Sequence, residues 1–203
     1  MPDSPAVVTQ KAELRRVLLA TRAARTPPER VAAAAAVARV LAPRVAGARV
    51  AACVPTTEEP GHGQLPDALA VTAARVLLPV VPATGRELVW AVHDGRLAAG
   101  RFGLVEPVGP RLPGTALGTV DVFVVPALAV ARDGTRLGRG GGYYDRALLH
   151  ARAGAVVVAV VFDDELVDTL PAGAHDVRVH AVVTPSGGWQ ELPPHRRSGP
   201  MRG

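Results

Sequence analysis

Apolar residues recur along this chain in two periods that alternate with each other. Over residues 10–24, Leu14, Val17, Leu18 and Thr21 fall three to four positions apart, which predicts an amphipathic helix. Thr26-Pro-Pro-Glu29 has the form of a capping box with prolines in the first helical turn. The alanine-rich stretch behind it predicts a second helix to about Leu41, where Pro43 discourages continuation. Short apolar runs at 49–54, 75–81 and 87–93 predict strands, with a helix over 64–74 between the first two. Residues 95–118 show no period, and so long an irregular stretch in a compact domain points to an active-site segment or lid. A strand over 120–130, a helix over 143–152, a strand over 155–162, a short helix over 165–170 and a strand over 181–184 complete the series.

Near-continuous apolar strands alternating with helices predict an α/β fold. The expected architecture is a mostly parallel central sheet with helices on both faces, a Rossmann-like three-layer sandwich. The chain divides into a flexible N-terminus over 1–9, a single catalytic domain over 10–184, and a tail over 185–203. Gly, Pro, Ser and Arg fill that tail, a composition that favours disorder. No internal repeat is present.

Composition narrows the class. A chain of 203 residues suits one domain with a substantial core. Lys11 is the sole lysine among 23 basic residues, and a formal charge of +5 favours anionic ligands. No basic run carries interleaved aromatics, so nucleic acid is not the expected partner. Cys53 stands alone in the run Arg49-Val-Ala-Ala-Cys-Val54, which reads as a buried strand cysteine in a reducing compartment. Neither a secretion-signal pattern nor an apolar stretch of the ~20 residues that span a membrane occurs. A cytoplasmic monomer acting on small molecules is expected.

The chain's two tyrosines close a glycine-dense loop, Gly134-Thr-Arg-Leu-Gly138-Arg-Gly-Gly-Gly142-Tyr-Tyr-Asp-Arg146. Between a strand and a helix, such a loop presents unshielded backbone N–H groups to an anion. Arg136, Arg139 and Arg146 add phosphate-matching forks. It is no P-loop, because no Lys and Ser/Thr pair follows the glycines. Gly138 and Gly140 begin a dinucleotide fingerprint, with Asp163 as a ribose-binding acid, but Tyr143 takes the third glycine's position. Lys11, Arg15 and Arg22, at helical offsets of four and eleven, form a basic face whose mutual repulsion an anion would offset.

Five segments occur in a telling order: Lys11-Ala-Glu-Leu-Arg15, Glu59-Pro60, Arg101-Phe-Gly-Leu-Val-Glu-Pro107, the loop from Asp133 to Arg146, and His175-Asp-Val-Arg-Val-His-Ala-Val-Val-Thr184. Over about residues 11–184 the chain resembles the 5-formyltetrahydrofolate cyclo-ligases. The resemblance implies ATP- and Mg²⁺-dependent closure of 5-formyltetrahydrofolate to 5,10-methenyltetrahydrofolate, with release of ADP and phosphate. It implies ATP contacts from Lys11, Arg15, Arg136, Gly138, Arg139, Gly140, Gly141, Gly142, Tyr143 and Tyr144. Folate contacts would come from Val54, Glu59, Phe102 and the stretch Arg139, Gly140, Gly141, Gly142, Tyr143. Arg139 and Tyr143 would act at the reacting group, and Asp145 and Asp176 would ligate magnesium. Two positions depart from the family pattern: His62 or Gly63 stands where many members carry Thr, and Gly141 where some carry lysine. These departures leave open a related ATP-dependent enzyme acting on another amide. The basic loop by itself also fits a non-catalytic nucleotide- or RNA-binding module.

Overall fold

The computed structural model describes residues 4–173 and 176–193. Ser4 caps α1 (Pro5–Ala24) by accepting from the Val7 N–H, and Pro5 fills a first-turn position where an N–H is not needed. The helix therefore begins at Pro5 instead of position 10, and residues 5–9 are helical, not flexible. In α2 (Pro27–Arg44) the capping box is formed: Glu29 accepts from the Thr26 N–H and hydroxyl, both at 2.7 Å. This helix runs through Pro43 to Arg44, past the predicted stop.

The elements β1 (Arg49–Ala52), α3 (Leu65–Thr72), β2 (Arg75–Val80) and β3 (Val89–Val92) fall inside the predicted runs. Residues 95–118 are more regular than expected. Here β4 (Leu97–Ala99) and β5 (Val105–Pro107) form an antiparallel hairpin about a 3₁₀ turn at Arg101–Gly103. The apolar run 120–130 splits into β6 (Val122–Pro126) and β7 (Ala129–Ala131), and β7 pairs with β8 (Arg136–Leu137). The helix α4 (Tyr143–Ala147) is shorter than predicted and continues as a 3₁₀ turn, ahead of β9 (Val156–Val160).

The helix predicted over 165–170 is not formed. Asp163–Glu165 make a 3₁₀ turn, and β10 (Leu166–Val167) joins β7 in the small sheet. Tertiary structure overrides the local pattern here, because Glu165 turns inward to a buried arginine. The strand β11 (Ala181–Thr184) forms as predicted. The tail is a further correction: β12 (Gly188–Glu191) pairs antiparallel with β11, and Trp189 packs against the core beneath Arg44. Residues 194–203 of that tail lie outside the described residues.

The main sheet has the order β12-β11-β9-β6-β1-β2-β3, parallel except for the two edge strands. Alternate residues of one strand serve opposite faces. Val124 packs with α2 and α3 through Val37, Leu41, Leu65 and Leu69, while Phe123 and Val125 pack with Leu117, Ala147 and Leu148. Three layers result, as expected of an α/β fold with both sheet faces covered. From β1 the chain moves to β2 and β3 on one side, then returns to β6 on the other. That reversal opens a crevice beyond the carboxyl ends of β1 and β6, where ligands bind in open α/β sheets.

Candidate active site

A cavity of about 660 Å³ occupies this crevice. Cys53 and Val54, just past β1, and Pro126 and Ala127, at the end of β6, form part of its lining. Lys11 and Arg15 reach it from α1, Phe102 and Glu106 from the β4–β5 hairpin, and the glycine loop runs along it from β8 to α4. Every residue to which the family resemblance attached a site role lines this cavity, from Lys11 to Asp176, whereas Arg22, Arg146 and Asp163 do not.

Two glycines explain the course of the loop. Gly140 has φ +95°, and a Cβ there would meet the Arg15 guanidinium at 3.3 Å. A Cβ at Gly141 would lie 2.8 Å from the Tyr143 ring, so the bare backbone lets that ring fold against the loop. Because α4 has only five residues, its dipole is small, and arginines supply most of the positive field.

Cations and carboxylates interlock around the cavity. Lys11 Nζ lies 2.7 Å from Asp176, and Arg15 Nε donates to the Gly138 carbonyl at 2.8 Å. Arg136 donates to Asp145 at 2.5 Å and to the Pro126 carbonyl at 3.1 Å. Arg139 donates to Glu59 and to the Thr56 hydroxyl, both at 3.2 Å, and Glu59 also accepts from the Thr56 N–H at 2.9 Å. Arg146 donates to the carbonyls of Arg86 and Gly141 and so fastens the loop rather than lining the cavity.

Arg22 also departs from the sequence reading. Instead of extending the basic face, it is fully buried and grips Glu165 with two bonds of 2.7 Å, with a third to the Ala127 carbonyl. Its Nη1 lies 3.9 Å from Glu59, behind the cavity wall. Cys53 is buried as expected; desolvation, then the nearby Glu59 charge, pushes its thiol pKa up and leaves it unreactive. Burial likewise raises the Tyr144 phenol well above its ordinary value.

The model of the 5-formyltetrahydrofolate cyclo-ligase family matches residues 7–185. The chain belongs to this family. It is 47% identical over 186 residues to the 5-formyltetrahydrofolate cyclo-ligase of Mycolicibacterium smegmatis, spanning 88% of this chain and 95% of that one. It is 37% identical over 123 residues to the Escherichia coli K12 cyclo-ligase, spanning 57% of this chain and 66% of the relative. The structure of Aquifex aeolicus 5,10-methenyltetrahydrofolate synthetase superposes with a TM-score of 0.74 at 28% identity, covering 95% of this chain and 97% of the other. The chain is an enzyme of the cyclo-ligase class.

Of the two departures from the family pattern, one lies off the cavity. Neither His62 nor Gly63 lines it, and His62 Nδ1 sits 3.1 Å from the Pro55 carbonyl. The other, Gly141, lies on the cavity wall. Asp145 and Asp176 share the cavity with the glycine loop. Among the described residues no group of three or more His, Cys, Asp or Glu converges as a metal cage. Two carboxylates beside a glycine- and arginine-rich loop nevertheless suit Mg²⁺, which keeps waters and completes its shell with phosphate oxygens. Sequence reasoning missed Glu106 and Thr56, both on the cavity wall. Glu106 lay within a quoted motif but carried no periodicity or spacing that marks chemistry. No helix among the described residues is long and apolar enough to cross a membrane.

Proposed function

We propose that this cavity closes the 5-formyl group of reduced folate with ATP, giving 5,10-methenyltetrahydrofolate, ADP and phosphate. The observation that carries this reading is the cavity's double lining. Lys11, Arg15, Arg136 and the glycines suit a polyphosphate, while Val54, Val81, Leu88, Phe102 and Leu104 suit a flat heterocycle. Arg139 joins the two linings, seated on Glu59 and Thr56.

The chemistry accounts for the need for ATP. A formamide carbonyl is a poor electrophile, and its oxygen is a poor leaving group. Transfer of the γ-phosphoryl group to the formyl oxygen turns that oxygen into phosphate ester. N10 then attacks the formyl carbon and loses its proton, and the C–O bond breaks to release phosphate. Lys11, Arg15 and Arg136 hold the phosphates in line, while Arg139 and Tyr143 stand at the formyl group. The Arg139 side chain is 47% exposed, which leaves it free to follow charge from ATP to the transferred phosphoryl group. Asp145 and Asp176 would hold Mg²⁺, which when bound neutralises phosphoryl oxygens. We read the chain as one catalytic domain, monomeric and cytoplasmic.

The test is the absorbance of methenyltetrahydrofolate when protein, Mg²⁺ and ATP meet 5-formyltetrahydrofolate, with a mixture lacking ATP as control. An ATP-dependent rise supports the reading. No rise from folded protein that binds ATP would withdraw it.

A further inference from the structure

Four carboxylates line the cavity: Glu59, Glu106, Asp145 and Asp176. Three are ion-paired, Glu59 with Arg139, Asp145 with Arg136 and Asp176 with Lys11. Glu106 is different. It is 9% exposed, and its one hydrogen bond among the described residues comes from the Val81 N–H to Oε1, at 2.9 Å. No cation among the described residues pairs with it, although a buried carboxylate requires donors.

The fold is built to seat this group. A Cβ on Gly100 would fall 2.3 Å from the Glu106 carboxyl carbon and 2.7 Å from Oε2, so the glycine makes room for the carboxylate. Phe102, on the same hairpin, is 78% exposed and lines the same cavity, as do the apolar side chains of Val81, Leu88 and Leu104. An aromatic ring, apolar walls and an acceptor with open lone pairs suit a flat heterocycle carrying adjacent N–H donors.

We propose that Glu106 is the specificity residue for the pterin, accepting from the 2-amino and N3–H donors of its pyrimidinone edge. This rests on the ring-closing reading above. Glu59, already held by Arg139 and Thr56, then serves to position that arginine. Two adjacent donors facing one carboxylate form parallel, charge-assisted bonds, the arrangement that discriminates most strongly against a ligand lacking one donor.

Three ligands are measured by equilibrium binding: 5-formyltetrahydrofolate, its analogue lacking the 2-amino group, and ATP. In Glu106→Gln the side-chain oxygen still accepts from Val81, which turns an NH₂ group toward the pterin's donors. This variant should raise the Kd for 5-formyltetrahydrofolate about tenfold or more, with ATP affinity kept within about twofold. Gly100→Ala, which displaces the carboxylate and leaves Glu106 in place, should give the same pattern with a smaller change. Wild type should bind the des-amino analogue about tenfold more weakly than the parent, and Glu106→Gln should bind the two alike. Unchanged folate affinity in both variants, or undiminished discrimination against the analogue in either, would overturn the assignment. Failure of the ring-closing reading has its own signature, the absence of an ATP-dependent absorbance rise in wild type. A wild type that binds no reduced folate would overturn both.

Discussion

Arg136 combines an internal structural role with a place on the cavity wall. Its side chain is 4% exposed, and its guanidinium spans Asp145 and the Pro126 carbonyl. Arg136→Lys keeps the charge but loses the fork, so it should lower kcat/KM for ATP about tenfold or more while the fold survives. ATP titration and steady-state kinetics check this, and wild-type values would remove Arg136 from the nucleotide site. Asp145→Asn keeps the shape but weakens a hard oxygen donor. It should raise the Mg²⁺ concentration needed for half-maximal activity; an unchanged Mg²⁺ dependence would leave Asp145 as Arg136's partner alone. At this scale the sequence was readable where chemistry is dense. Five glycines, two tyrosines and the arginines of one loop announced the cavity wall. Arg22 was misread because helical spacing gives direction on a helix but not what lies opposite, and its partner Glu165 is 143 positions away. Glu106 was unread for a similar reason: one acid in a short strand looks solvated until Val81 and Gly100 are seen around it.

Among the elements, α1 is held by polar links that include Lys11 to Asp176, Arg15 to Gly138, and Arg22 to Glu165. The last is fully buried, so Arg22→Ala leaves an unbalanced carboxylate in the interior. A loss of about 3–5 kcal/mol is expected from urea unfolding, the cost of breaking a buried pair by removing one partner. A loss below about 1 kcal/mol would mean that water reaches Glu165. The β11–β12 turn is tied differently, through Asp163, which accepts from Ser186 and Gly187. Burial alone would raise the Asp163 pKa, but hydrogen bonds from Thr184, Ser186 and Gly187 outweigh it and hold the pKa below the ordinary carboxylate value. A depressed pKa contributes stability that is present above about pH 4 and lost as pH falls through the lowered value. Asp163→Asn should therefore flatten the acid limb of the stability profile as pH falls below the ordinary carboxylate range; a limb of unchanged steepness would show that other carboxylates set it. Long helices and fully buried strands were legible because apolar period survives over many residues. The two- and three-residue strands β7, β8 and β10 are too short to carry one. The β4–β5 hairpin hid for another reason, since its turn puts Phe102 at φ 56°, a left-handed backbone that no turn preference assigns to Phe.

For the whole molecule, topology determines where chemistry happens. Reversal of strand order between β1 and β6 leaves one crevice, and the helix, hairpin and loops that converge on it come from distant parts of the chain. A ligand held by so many elements links their unfolding. ATP with Mg²⁺ at about 100 times its Kd should raise the unfolding free energy by about 2.7 kcal/mol, which thermal or urea unfolding reads directly. No shift at that saturation would mean that nucleotide binds the unfolded chain equally or not at all. The layer architecture was foreseeable from alternating periods; the antiparallel edge strand in the tail was not, because its Gly and Pro neighbours mask a pairing made with β11. The Lys11–Asp176 link also carries a consequence for biosynthesis. Its partners are 165 residues apart, so a nascent chain extending at about 5–20 residues per second needs roughly 8 to 33 s between making one and making the other. Throughout that interval the lysine has no Asp176 to meet, and this part of the cavity wall stays unfinished until most of the sheet has emerged from the ribosome. Closure of this side of the cavity thus waits on Asp176, and fragments that stop short of it would carry the glycine loop without the link to α1.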